Sequence, residues 1–189
     1  MKSVYVDLFN KVLNDGQIQE AWTIGMITPI YKNKGDKMDV NNYRGITILS
    51  CLGKLFTSVI NARLNNYADK FNLISENQTG FRKNYSTADH LFLLKNFIDI
   101  FVKNGNQKLY CAFVDYKKAF DTVWRSVLWH KMRKSGITGK LLNVIVNMYN
   151  NIKSCVSYKG NLSDYFVSVN GVSQGENLSP FLFSLFGND

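Results

Sequence analysis

Proline is scarce in this chain, occurring only at Pro29 and Pro180, and no Gly/Ser-rich linker, internal repeat or low-complexity tract interrupts it. The sequence therefore reads as one continuous unit. Cysteine is also sparse. Cys51, Cys111 and Cys155 are far apart, odd in number and form no C-x-x-C pair, which argues against a disulfide framework or a zinc site. A reducing compartment, with the three as small core residues, is the simplest expectation. No apolar run is long enough to span a bilayer, and Asp7 breaks the first apolar stretch, so the N-terminus does not read as a secretory signal. The expectation is a chain with no membrane partner that works inside the cell, in cytoplasm or nucleus, and is not secreted. Acidic residues are the last shortage. Asp and Glu number 14 against 23 Lys and Arg, a net charge of +9, and a field of that sign favours nucleic acid or an anionic membrane surface, although many stable proteins are simply basic.

Apolar residues are plentiful, at 46% of 189 residues with 14% aromatic, so the chain can bury a real core and is not disordered. The pattern predicts a short helix from Val4 to Leu13 ending at Asp15-Gly16, then a strand from Trp22 to Tyr31. A charged loop over 33–44 precedes a strand from Gly45 to Leu49. Leu52, Leu55, Phe56, Val59, Ile60, Leu64 and Tyr67 recur at three- and four-residue steps, predicting an amphipathic helix with Ser50 as N-cap. Ser86-Thr87-Ala88-Asp89 fits a capping box, and the helix behind it carries Leu91, Leu94, Phe97, Ile98 and Phe101.

Leu109 to Val114 is short and nearly all apolar, as suits a strand buried on both faces. Helices are predicted over about 123–134 and 140–150. A hairpin is expected around Lys159-Gly160-Asn161, between strands at 155–158 and 165–169. A Gly-rich turn at 171–175 and an apolar segment, Leu178 to Phe186, close the chain. Interleaved helices and strands with a hairpin imply a mixed α+β architecture.

Three features carry chemistry. Asp115 follows the apolar strand in Phe113-Val114-Asp115-Tyr116-Lys117-Lys118-Ala119-Phe120-Asp121. A hard oxygen ligand on a rigid strand can hold Mg²⁺ for phosphoryl transfer; an Asp capping the next helix is the alternative. In Gly171-Val172-Ser173-Gln174-Gly175-Glu176-Asn177-Leu178-Ser179-Pro180, two glycines flank Gln174 and allow close backbone approach to a ligand. The alternative is an ordinary loop capped by Ser179 or Asn177. The third feature is a set of cations, Lys32, Lys34, Lys37 and Arg44, on the loop between two strands. Such a set can close over a triphosphate or form a solvated charged surface.

In this order the features resemble the reverse-transcriptase domain of non-LTR (LINE-type, jockey-like) retrotransposons. The resemblance runs over essentially the whole chain and includes Asn42-Tyr43-Arg44-Gly45-Ile46, Leu52-Gly53-Lys54-Leu55-Phe56 and Gln78-Thr79-Gly80-Phe81-Arg82. It implies an RNA-directed DNA polymerase fold of α+β class. Residues 1–110 would be mainly fingers and 111–189 mainly a partial palm, with the thumb and the end of the palm missing.

By resemblance, Asp115 is a catalytic carboxylate and metal ligand, and Tyr116 lends a backbone carbonyl to the metal. Phe120 falls at the steric gate that selects deoxynucleotides, though it could be ordinary core. Lys32, Arg44, Gln174 and Gly175 would hold the incoming nucleotide. Gln78, Gly80, Phe81 and Arg82 would lie near the template. Mg²⁺, deoxynucleoside triphosphates, an RNA template and a DNA primer are the implied cofactor and partners, with the oligomeric state left open.

The family also needs a later Asp-Asp pair to complete the metal site with Asp115. This sequence contains no Asp-Asp, and Asp189 lies too early to stand for it. One carboxylate cannot hold two Mg²⁺ ions for in-line displacement. The expectation is therefore a domain fragment, inactive alone. The rival reading is a catalytically inactive nucleic-acid-binding relic.

Overall fold

Helices with one apolar face need a partner layer, and here six of them close around a single core. A computed structural model describes residues 2–105 and 107–188; Asp189, weighed above, lies outside them. α1 (Lys2–Asp15) leads to the short α2 (Glu20–Thr23) and then to β1 (Ile24–Tyr31). The strand expected from Trp22 thus begins two residues later. Trp22 and Thr23 form a helical turn that buries the indole edge-on to Phe9, ring centres 6.2 Å apart, and 5.4 Å from Phe56. Burying two large aromatics outweighs the weak β-preference of a strand end.

β2 (Tyr43–Ile48) pairs antiparallel with β1, from Tyr31↔Tyr43 to Met26↔Ile48. α3 (Cys51–Lys70) follows, and the Ser50 hydroxyl accepts the Gly53 N–H at 3.4 Å. Phe56, Ile60 and Leu64 are fully buried along its inner face, whereas Leu55, on the expected face, is 48% exposed.

α4 (Thr87–Phe97) begins at the expected capping box, where the Ser86 N–H donates to Asp89 Oδ2 at 2.7 Å. It runs on into a π-helical stretch, Ile98–Asn104, and no residue of either is buried. The apolar side chains from Leu91 to Phe101 therefore do not pack on the core.

The strand expected over 109–114 does not form. These residues lie outside any ladder, and Tyr110, Phe113 and Val114 are more than four-fifths exposed. A strand needs neighbours for its N–H and C=O groups. β1 already has β2 on one side and β3 on the other, and no described strand takes up this segment. Cys111 on this segment and Cys51 at the start of α3 are exposed, and only Cys155 sits in the interior. The expectation of three core cysteines fails for two of them.

α5 (Arg125–Lys134) and α6 (Gly139–Asn150) precede β3 (Lys153–Tyr158). β3 turns through Lys159 (φ 49°) and Gly160 (φ 82°) into β4 (Asn161–Leu162), a tight hairpin with positive φ at both loop positions. β5 (Phe166–Val167) returns antiparallel to the start of β3. β3 also pairs parallel with β1, from Ile24↔Lys153 to Ile27↔Val156. The strand order is β2-β1-β3-β4, with β5 beside β3. Parallel and antiparallel pairs coexist, so the sheet is mixed and the fold α+β. α7 (Ser179–Gly187) drives Phe181, Leu182 and Leu185 into a core shared with Leu128, Met132, Ile145 and Leu64.

Candidate functional site

The loop between β1 and β2 is held by its own side chains. The Lys32 ammonium donates to the Asn41 carbonyl at 2.8 Å, Asn42 Nδ2 to the Asp36 carbonyl at 2.8 Å, and the Tyr43 hydroxyl to the Lys37 carbonyl at 2.9 Å. The Tyr31 hydroxyl donates to the Gly35 carbonyl. The cations of this charged, solvent-facing loop are thus pre-arranged. One of the three Lys32 ammonium protons serves the loop, which leaves two for another acceptor.

This loop forms one wall of a cleft of about 550 Å³. The opposite wall is the 115–121 segment, and Gln174 closes it. Lys32, Lys34, Arg44, Lys117 and Lys118 line it with two carboxylates, Asp115 and Asp121. Five cations against two anions make an anion-attracting pocket, and its concavity concentrates the field.

Asp115 is exposed, and among the described residues no hydrogen bond or ion pair engages its carboxylate. It does not cap a helix. Residues 117–122 form turns in which the Asp121 and Thr122 N–H groups both donate to the Lys118 carbonyl, and α5 begins only at Arg125. Asp115 therefore stands at the end of an extended, solvent-facing segment, not of the buried strand expected from the sequence. Tyr116 lines the same cleft, its ring edge-on to Phe183 at 6.4 Å.

Phe120 has a double position. Its ring stacks on Phe183, centres 5.1 Å apart, and meets Phe81 edge-on at 5.9 Å. It also lines both the cationic cleft and a second cleft of about 660 Å³, which Phe81, Gln174, Gly175 and Pro180 share. The ring is therefore a partition between the two clefts, packed on the core on one side.

Gln174 and Gly175 are fixed by backbone geometry. The Gln174 carbonyl accepts the Thr47 N–H of β2 at 2.8 Å. Gly175 has φ +119°, and a Cβ there would lie 2.5 Å from the Thr47 carbonyl oxygen. The close approach expected of this glycine occurs, but toward the backbone of β2. Neither Ser179 nor Asn177 caps α7, and Asn177 Nδ2 instead donates to the Lys54 carbonyl at 3.1 Å.

In the 78–82 segment, Phe81 alone reaches the second cleft, 59% exposed with φ 62°. The Gln78 N–H and Arg82 Nη1 both donate to the Ser75 carbonyl, at 3.0 Å each, and the Arg82 guanidinium covers the Tyr85 ring. Gln78 and Arg82 thus shape the loop that presents Phe81, and Gly80 lines neither cleft.

Sequence reasoning missed a buried polar network behind Gln174. Arg125, 9% exposed, donates to the carbonyls of Gly171 (2.8 Å), Tyr149 (2.8 Å), Ser168 (2.6 Å) and Asn170 (3.2 Å). The Tyr149 hydroxyl donates to Glu176 Oε2 at 2.7 Å. Burial pushes the Glu176 carboxyl above its usual range and the Tyr149 hydroxyl well above its own, so the tyrosine keeps the proton it donates. Arg125 remains charged, although burial lowers its pKa. An arginine in the first turn of a helix reads as surface, and only Glu176, next to Gly175, carried any local signal.

The donors near Asp115 suit a hard divalent cation in kind, being carboxylate and backbone carbonyl oxygens. They do not suffice in number: no group of three or more His, Cys, Asp or Glu side chains able to hold a metal occurs among the described residues. The described residues do not by themselves complete a metal site.

Residues 31–189 match the family described as reverse transcriptase (RNA-dependent DNA polymerase). The chain is 32% identical over 182 residues to the RNA-directed DNA polymerase from mobile element jockey of Drosophila melanogaster, an alignment covering 96% of this chain and 20% of that protein. It is 29% identical to the probable RNA-directed DNA polymerase from transposon BS of the same fly, over 96% of this chain and 20% of the relative. It is 28% identical to the Pol polyprotein from type-1 retrotransposable element R2 of Popillia japonica, over 89% of this chain and 23% of the relative. The chain thus spans about a fifth of the length of the curated relatives it matches.

Proposed function

The chain belongs to the reverse transcriptase family, and we propose that it is the part of an RNA-directed DNA polymerase that receives the incoming deoxynucleoside triphosphate. In this reading the complete polymerase copies an RNA template from the 3′-OH of a DNA primer, inside the cell. Residues 1–110 are mainly fingers and 111–189 mainly palm. Family membership favours this over a nucleic-acid-binding relic.

One observation carries the reading. Five residues from three separated stretches of chain, Lys32, Arg44, Asp115, Phe120 and Gln174, line one cationic cleft. A triphosphate carries dense negative charge. Arg44 can offer it a planar fork of donors and Lys32 its two remaining ammonium protons. Phe120, held by Phe183, is a rigid wall against which a sugar bearing a 2′-OH would clash. Gln174 forms the floor, with Gly175 beside it on the second cleft, and Phe81 with Gln78, Gly80 and Arg82 lies toward the template.

Divalent metals serve reverse transcriptases generally, and Mg²⁺ is the ion proposed here, supplying charge neutralisation at the phosphates. Asp115 and the Tyr116 carbonyl would contribute to its site, and further carboxylates from outside the described residues would complete it.

The test is equilibrium titration of the protein with dTTP. Saturable binding that weakens about tenfold or more in Arg44→Ala is expected, because a hydrogen bond to a charged group contributes roughly 1.5–3 kcal/mol. Binding that is absent, or indifferent to Arg44, contradicts the reading.

A further inference from the structure

The loop that carries Gln174 into the cleft is held at its two ends by a connected network of buried side chains. On the near end, the Arg125 guanidinium gathers the carbonyls of Ser168, Asn170 and Gly171. On the far end, Glu176 is tied to the Tyr149 hydroxyl at 2.7 Å, and that hydroxyl also lies 3.3 Å from Ser179 Oγ. Tyr149 joins the two ends. Its carbonyl accepts from Arg125 Nη1 at 2.8 Å, and its ring lies 5.3 Å from the guanidinium. Arg125, Tyr149 and Glu176 are all buried, at 9%, 1% and 7% exposure.

We infer that Arg125, Tyr149 and Glu176 are positioning residues: none of them lines the nucleotide cleft, but they clamp residues 168–176 so that Gln174 is held against β2 at the floor of that cleft. The inference rests on the nucleotide-binding reading for its functional consequence and on the hydrogen-bond geometry for the clamp itself.

The physical logic is pre-organisation. A loop of irregular backbone sampling many conformers must be ordered when ligand binds, and that ordering weakens affinity. Here a planar guanidinium, with donors in a fixed fork, satisfies the Gly171 and Tyr149 carbonyls, which would otherwise be buried and unpaired. A general stabilising role would affect the whole core. A clamp acts first on the bonds the loop makes, and three of these are readable: Thr47 N–H to the Gln174 carbonyl at 2.8 Å, Val172 N–H to the Phe120 carbonyl at 2.8 Å, and Glu176 N–H to the Ser173 carbonyl at 3.2 Å.

The experiment is amide hydrogen exchange on the 189-residue protein, read at Thr47, Val172 and Glu176. The Lys32 N–H, which donates to the Asn42 carbonyl at 2.8 Å, is the control outside the clamp, and dTTP titration accompanies each variant. Tyr149→Phe and Glu176→Ala are expected to speed exchange at the three reporters about tenfold or more, to leave Lys32 unchanged, and to weaken dTTP binding about fivefold. Glu176→Gln keeps an acceptor for the Tyr149 hydroxyl and is expected to stay close to the parent protein. Ser168→Ala, at a partly exposed position, removes only the Oγ contacts to Arg125 and Asn170 and tests the near end without threatening the core. It should speed exchange at Val172.

Variants that lower the unfolding midpoint while exchange at the three reporters rises no more than at Lys32 would overturn the clamp. If the parent protein binds no dTTP, the nucleotide reading fails, and the exchange pattern still decides the clamp.

Discussion

The Thr47 N–H donates to the Gln174 carbonyl at 2.8 Å, so the Gln-Gly loop is joined to the β1–β2 hairpin by backbone alone. Gly175 makes that junction possible. It combines φ +119° with a position where a methyl group would stand 2.5 Å from the Thr47 carbonyl oxygen. Gly175→Ala would meet both a forbidden backbone region and a backbone clash. It is expected to destabilise the fold by about 2–4 kcal/mol, measured by urea unfolding. A loss below about 0.5 kcal/mol would show that the loop is not seated on β2.

Glu176 sets a pH dependence. Burial raises its pKa above the ordinary 4.5, against the opposing pull of its hydrogen bonds with Tyr149 and Ser179 and of the Arg125 and Lys54 charges. The folded state then binds a proton more tightly than the unfolded chain. Its contribution to stability is full below about 4.5 and is lost as pH rises through the folded pKa. Thermal midpoints measured from pH 4 to 8 should therefore fall less steeply with pH in Glu176→Gln than in the parent protein. A difference between the two that grows in the opposite sense, or is flat, contradicts the assignment.

What the sequence revealed follows the range of the interaction responsible. The α3 stripe and its Ser50 cap, the Ser86–Asp89 capping box and the turn at Lys159-Gly160 were legible because their partners lie within a few residues. The parallel pairing of Ile24–Ile27 with Lys153–Val156 was not, since no local pattern specifies a partner so far along the chain. The 109–114 segment shows the same limit in reverse. Its apolar run is strand-like, but a run cannot say whether a neighbour exists to pair with it. At the site, the motifs at 32–44, 115–121 and 174–175 were found as separate signals. Their meeting in one cleft, and the arginine and tyrosine clamped behind Gln174, became visible only in three dimensions.

The exposed 109–114 segment has a solubility consequence. Tyr110, Phe113 and Val114 present apolar side chains and unpaired backbone to solvent, a template for edge-to-edge association. Val114→Lys should reduce self-association in sedimentation velocity without lowering the unfolding midpoint by more than about 0.5 kcal/mol equivalent, as befits an exposed site. Unchanged association would place the sticky surface elsewhere, with the unpacked α4 as the next candidate.

Catalysis by the 189-residue chain is not expected. Asp115 and Asp121 are the two carboxylates lining the cleft, and in-line phosphoryl transfer by two metals needs more ligands than the described residues offer. Primer extension on an RNA template with Mg²⁺ and all four deoxynucleotides should give no templated incorporation. Extension that vanishes in Asp115→Ala would show that these residues suffice.

We propose that the cationic cleft receives a deoxynucleoside triphosphate and that Phe120 judges the sugar. Paired titrations with dUTP and UTP in Mg²⁺, which differ only at the 2′-OH, test this most directly. The parent protein is expected to bind dUTP more tightly than UTP. Lys32→Ala and Arg44→Ala should weaken both ligands about tenfold or more, and Phe120→Val should bring the two affinities together by strengthening UTP. Equal affinity for dUTP and UTP in the parent protein, or a preference that survives Phe120→Val, would contradict the proposal.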